Sequence, residues 1–118
     1  MSVKTEPHMC FWANLYGKNF DLPKIEDALQ VKIEVGYELT INPPENLPGD
    51  SLYDEIAWLL NLMENNKEVL LESGVDFSKS QIWMIYYYDK QCNMEFDPVL
   101  MERMGNLGLK LCVSCQAI

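Results

Sequence analysis

Val31-Lys-Ile-Glu-Val-Gly-Tyr-Glu-Leu-Thr-Ile-Asn42 alternates without a break. Val31, Ile33, Val35, Tyr37, Leu39 and Ile41 fall on one side of an extended chain, and Lys32, Glu34, Gly36, Glu38 and Thr40 on the other. A period of two with one apolar and one polar side predicts a strand with one dry and one wet face. A sheet built from such strands is covered on one side only.

Working outward, the neighbouring segments supply the cover. Before this stretch, Asp21-Leu-Pro-Lys-Ile-Glu-Asp-Ala-Leu offers a capping aspartate and a proline in the first helical turn, where its missing N–H costs nothing. Leu22, Ile25, Ala28 and Leu29 make one apolar face of that short helix. Earlier still, His8–Tyr16 alternates again, with Phe11, Ala13 and Leu15 opposite Cys10, Trp12, Asn14 and Tyr16. After it, the prolines Pro43, Pro44 and Pro48 predict a loop.

A long helix follows, capped by Asp50 or Ser51 and ending before Gly74. Its buried stripe is Leu52, Ile56, Leu59, Leu60, Met63 and Leu70, with a weak point at Asn65-Asn66. Gln81-Ile-Trp-Met-Ile-Tyr-Tyr-Tyr-Asp is apolar on both faces and reads as a central strand. Asp97-Pro98 opens another helix, lined by Leu100, Met104 and Leu107 and terminated by Gly105 and Gly108. A last strand has Leu109, Leu111, Val113 and Cys115 inward, and Lys110, Cys112, Ser114 and Gln116 outward.

The expected order is β-α-β-α-β-α-β: a two-layer α+β sandwich, a four-stranded sheet with helices on one face. Residues 1–118 are read as a single domain, with residues 1–7, and His8 close behind them, in a frayed terminus. A chain of 118 residues buries roughly two-thirds of its unfolded surface, enough for one core but too little to cover both sides of such a sheet.

Charge narrows the partners. Eighteen acids against nine Lys+Arg give a net charge of −9. Nucleic acid binding rests on neutralising phosphates with Lys and Arg, so nucleic acid is an unsuitable partner, and so is an anionic membrane surface. Basic proteins are attracted instead. No stretch approaches the ~20 apolar residues that span a bilayer, and nothing resembles a secretory signal, so a cytoplasmic protein is expected. The four cysteines, Cys10, Cys92, Cys112 and Cys115, fit a reducing compartment. Cys112-Val-Ser-Cys115 has the spacing of a zinc knuckle or redox pair, yet it stands in a strand and lacks two further ligands. It is read as free buried thiols, with no metal and no cofactor.

Catalytic motifs are missing from the sequence: there is no Gly-rich phosphate loop, no Gly-x-Ser-x-Gly elbow and no His-Glu-x-x-His helix. Glu34 and Glu38, four apart on one strand face, would lie roughly 13 Å apart. Paired glycosidase carboxylates stand about 5–9.5 Å apart. A non-enzymatic role is expected.

Aromatics on the wet face are the more suggestive feature. Trp12 and Tyr16 point there, and the Gln81 strand adds either Trp83, Ile85 and Tyr87 or Met84, Tyr86 and Tyr88. Trp and Tyr anchors ringed by polar groups are what protein interfaces favour. The expected partner-binding set is Trp12, Asn14, Tyr16, Glu34 and Glu38. Asp54, Glu55 and Glu64 on the long helix form an alternative face. The opposing reading is that the Pro-rich loop covers these rings.

Several segments resemble a domain-of-unknown-function family of small bacterial α+β proteins. The likeness runs through Asn19-Phe-Asp-Leu-Pro-Lys-Ile-Glu-Asp-Ala-Leu, the leucine-rich helix leading to Gly74-Val-Asp, and Gln81–Tyr88. It is clearest at Phe96-Asp-Pro-Val-Leu-Met-Glu-Arg-Met-Gly-Asn-Leu-Gly-Leu-Lys-Leu. Some members of such families resemble immunity proteins of toxin–immunity systems. The resemblance therefore implies an immunity protein, and the acidic charge adds a cognate basic toxin whose active site it occludes; a monomer or weak homo-oligomer is expected. It carries no catalytic residue across. The alternative is a small-ligand-binding or regulatory domain without catalysis, using a pocket between the sheet and the Pro-rich loop.

Overall fold

The structure, a computed structural model, describes residues 6–45, 47 and 53–118. The proposed caps Asp50 and Ser51, Leu52, Pro48 and the terminus before Glu6 lie outside the described residues. Five strands and four α-helices are found among the described residues: β1 (His8–Leu15), α1 (Leu22–Leu29), β2 (Ile33–Val35), β3 (Leu39–Ile41), α2 (Tyr53–Asn65), α3 (Lys67–Glu72), β4 (Gln81–Tyr88), α4 (Pro98–Leu107) and β5 (Lys110–Ala117). A 3-10 turn, Phe77–Lys79, leads into β4.

The strands form one mixed sheet in the order β2-β3-β1-β4-β5. β1 runs antiparallel to β3 and β4, whereas β4 and β5 are parallel. Parallel neighbours need a crossover, and α4 provides it. The α+β class expected from the sequence holds, but the sheet has five strands rather than four. The stretch 31–42 is not one strand. It folds into the β2–β3 hairpin, with Ile33 opposite Ile41 and Val35 opposite Leu39.

The alternation survives that turn for a geometric reason. Three residues, Gly36, Tyr37 and Glu38, separate the paired Val35 and Leu39. An odd-length loop keeps the parity of the two arms in phase, and directly paired residues share a face. Odd positions therefore stay on the helix side along both arms, but Val35, expected on the dry face, is 57% exposed because β2 is an edge strand. At the tip the Gly36 N–H donates to the Glu38 carbonyl at 3.0 Å, and Tyr37 is almost fully exposed.

The helices cover one side. Ile25 and Leu29 of α1, Ile56, Leu59, Leu60 and Met63 of α2, Leu70 of α3, and Leu100, Met104 and Leu107 of α4 join a single core. Phe11, Ala13, Leu15, Leu39, Ile41, Ile82 and Met84 meet them from the sheet. Each full burial of a Leu, Ile or Met contributes roughly 1.5–3 kcal/mol relative to exposure.

Local signals set the ends. Asp21 caps α1 by accepting from the Lys24 N–H at 3.3 Å, and Asp97 caps α4 by accepting from Leu100 at 3.1 Å. The expected weak point between α2 and α3 falls at Asn66, whose side chain donates to the Leu62 carbonyl at 2.8 Å. Gly105 does not end α4 as the sequence suggested. It sits inside the helix, and Gly108, left-handed at φ 84°, is the cap. A glycine costs only about 1 kcal/mol in a helix, and burial of Met104 and Leu107 on either side of it outweighs that.

Two further expectations need correction. Val113 and Cys115 do lie on the helix side of β5, in register with Met84 and Tyr86, but β5 is an edge strand and both are exposed. The cysteines are free yet not buried: Cys115 is exposed and the other three are half-buried. Cys112 and Cys115, three apart on a strand, point to opposite faces, so their spacing makes no bidentate site.

The α2–α3 unit is tied back to the sheet beside Gly17. Gly17 and Val75 form an isolated bridge, and Lys18 donates to the Gly74 carbonyl at 3.0 Å. A Cβ on Gly17 would collide with the Gly74 backbone, and one on Gly74 (φ 102°) with the Lys18 carbonyl. This close approach requires glycine on both chains.

Candidate binding surface

The helix-free face of the sheet follows directly from the register. Its side chains form rungs across the strands. One rung reads Glu34, Thr40, Asn14, Gln81 and Lys110; the next contains Trp12, Trp83 and Cys112. Beyond these come Cys10, Ile85 and Ser114, then His8, Tyr87 and Gln116.

Two aromatic pairs dominate. The Trp12 and Trp83 rings stack at 6.2 Å between centroids with planes 11° apart, and His8 stacks on Tyr87 at 4.5 Å and 19°. Such pairs contribute about 0.5–1.5 kcal/mol beyond area burial. All four rings are half-buried: each covers its partner and keeps an outer surface open. The rung beside the tryptophans is polar and satisfied. Thr40 Oγ1 donates to Asn14 Oδ1 at 3.1 Å, and Trp83 Nε1 donates to Gln81 Oε1 at 3.2 Å. Acid stands at one end of this rung and Lys110 at the other.

The sequence-derived set is only partly brought together. Trp12 and Asn14 lie on this face, but Asn14 is 9% exposed and engaged with Thr40, which makes it a support rather than a contact. Glu34 is exposed on the edge strand, two strands from Asn14 and so roughly 10 Å away. Glu38 is half-buried at the hairpin tip. Because the hairpin places Glu38 diagonal to Glu34 on neighbouring strands, the roughly 13 Å along-strand separation is overturned in favour of about 7–8 Å between backbones. Tyr16 lies beyond β1, its N–H donating to Ser80 Oγ at 3.0 Å and its carbonyl accepting from Asp76 at 2.8 Å.

His8, Trp83, Ile85 and Tyr87 are the additions. His8 opens β1, where the alternation over His8–Tyr16 puts it, and is not frayed with the terminus. Of the two faces of β4 that the sequence left open, the register selects Trp83, Ile85 and Tyr87. No periodicity announces that choice, because β4 is apolar on both sides.

The alternative face on α2 is already in use. Arg103 of α4 holds Glu64 in a bidentate pair, Nη2 to Oε1 at 2.7 Å and Nε to Oε2 at 3.1 Å, while Nη2 also donates to Asn61 Oδ1 at 2.6 Å. The hydrogen-bonded guanidinium lowers the Glu64 pKa below its ordinary value. Asp54 and Glu55, in the first turn of α2, are half-buried and have partners of their own.

Elsewhere, a hydrogen bond with Cys115 raises the Cys92 thiol pKa above its ordinary range. No group of three or more His, Cys, Asp or Glu able to hold a metal occurs among the described residues. No helix among them is long and apolar enough to cross a membrane.

Comparison with protein-family models gave no match, and comparison with curated proteins and with solved structures gave none either. The resemblance carried by the capping and core segments is thus unaccompanied by a relative whose residues bear on this face. The reading of the surface rests on its own chemistry.

Proposed function

We propose that the chain is a protein-binding module that docks its partner on the helix-free face. In its most concrete form it is an immunity protein occluding the active site of a basic bacterial toxin. The observation that carries this reading is the pair of partly exposed aromatic stacks, Trp12–Trp83 and His8–Tyr87, the first bordered on one side by the hydrogen-bonded polar rung of Thr40, Asn14 and Gln81. Interface hot spots are enriched in Trp and Tyr set within a polar surround. A net charge of −9 supports a basic partner, since it steers encounter even where the docking patch itself is mixed in charge.

The division of labour follows. Trp12, Trp83 and Tyr87 would supply contact area, Glu34 and Glu38 at one edge would favour cationic side chains, and Asn14 and Gln81 would hold the rings in place. Fast association in this scheme is electrostatic and weakens with salt.

The test is co-expression with the product of the adjacent gene, followed by calorimetry at low salt. Trp12→Ala and Trp83→Ala should each weaken the complex by roughly 30-fold or more, while Glu64→Gln leaves it unchanged. Absence of a complex at low salt, or full affinity in both tryptophan variants, would remove this reading.

A further inference from the structure

On the opposite side of the sheet, beneath the segment joining β4 to α4, lies a chamber of about 150 Å³. Met9 and Phe11 of β1, Met84 of β4 and Ile56 of α2 form its inner walls, and Met94 and the exposed Phe96 of the 89–97 segment lie across its mouth, which stays partly open to solvent. Asn93 and Glu95, both exposed, supply the polar groups at its edge. The sequence leads one to expect a pocket against the Pro-rich loop; this chamber lies elsewhere, beneath the 89–97 segment.

Water is a poor occupant, because it needs two to four polar partners and six of the lining side chains are apolar. An apolar cavity of this volume accommodates one six-membered ring. Three thioethers among the walls add polarizable, adaptable surface that favours aromatic guests. Glu95 at the edge disfavours an anionic substituent.

We propose that this chamber is a binding site for a neutral, single-ring aromatic compound. The site is separate from the partner face: Met9, Phe11 and Met84 project to the helix side of the strands, whereas Trp12 and Trp83 project to the other.

Benzene is the probe, titrated into protein carrying ¹³C-methyl methionine. The Met9, Met84 and Met94 methyl signals should follow one saturable isotherm while Met63, Met101 and Met104 stay in place. Benzoate should bind at least tenfold more weakly than benzene. Met94→Trp, which fills the chamber from its outer wall, should loosen benzene at least tenfold. Met9→Phe is the second filling variant should the first fail to fold. The proposal is overturned by unsaturable shifts or by shifts uniform over the six methyl groups named, by benzoate binding as well as benzene, or by a folded filled variant that binds benzene like the parent.

Discussion

Replacing Arg103 with Met removes the clamp between α2 and α4 while keeping most of the side-chain volume. Three hydrogen bonds are lost, two of them to Glu64. The two side chains of the ion pair retain 27% and 34% of their exposure, so solvent screens much of the attraction. An exposed pair contributes about 0.2–1 kcal/mol, a bidentate one falls at the upper end, and the Asn61 bond adds a fraction more. A loss of about 1–1.5 kcal/mol is expected near neutral pH. With an unfolding entropy of roughly 2.1 cal/mol/K per residue, 118 residues convert this to a fall of about 4–6 °C in Tm.

The pH dependence has a definite sign. Arg103 depresses the folded-state pKa of Glu64 below its ordinary 4.5. The associated stability is therefore complete above that value and disappears as pH falls through the lower, folded-state pKa. Thermal and urea unfolding followed by circular dichroism should show the gap between parent and Arg103→Met near pH 7, a smaller gap at high salt, and a gap that shrinks progressively as pH falls below 4.5. Equal stabilities near neutral pH, or a gap indifferent to both acid and salt, would refute the reasoning and release Glu64 as a candidate contact.

Other substitutions test the fold at separate points. Asp97→Ala should cost about 1 kcal/mol through loss of the α4 cap, and Asp97→Ser should recover most of it, as measured by urea midpoints. Gly105→Ala, at a helical position with nothing within 4 Å of the new Cβ, should stabilise by roughly 0.5–1 kcal/mol. Gly74→Ala should instead destabilise by at least about 2 kcal/mol, because it combines positive φ with a backbone collision.

Much of the fold was legible because its cues are local. Asp21-Leu-Pro and Asp97-Pro98 announced α1 and α4, Asn65-Asn66 announced the α2–α3 break, and Phe11, Ala13 and Leu15 announced the buried side of β1. The hairpin was hidden because its three-residue turn preserves parity; Gly36 was the only cue, and one glycine inside an alternating run is compatible with a continuous strand. The candidate surface was half legible. Trp12 could be assigned from alternation, but Trp83 and Tyr87 depend on the pairing of β1 with β4, a long-range register that no local pattern in an all-apolar strand records. The exposure of Val113 and Cys115 likewise depends on strand order, since it is an edge position that leaves them uncovered.

The helix-free face is the surface proposed to grip a partner. The three tryptophans divide cleanly for this purpose: Trp12 and Trp83 lie on that face, and Trp58 of α2 packs against the core on the other side. Protein labelled with 5-fluorotryptophan, titrated with the adjacent gene product and followed by ¹⁹F NMR, should show the Trp12 and Trp83 signals shifting together while Trp58 stays fixed. A complex that moves Trp58 and leaves the stacked pair untouched would place the interface on the helices and contradict the account.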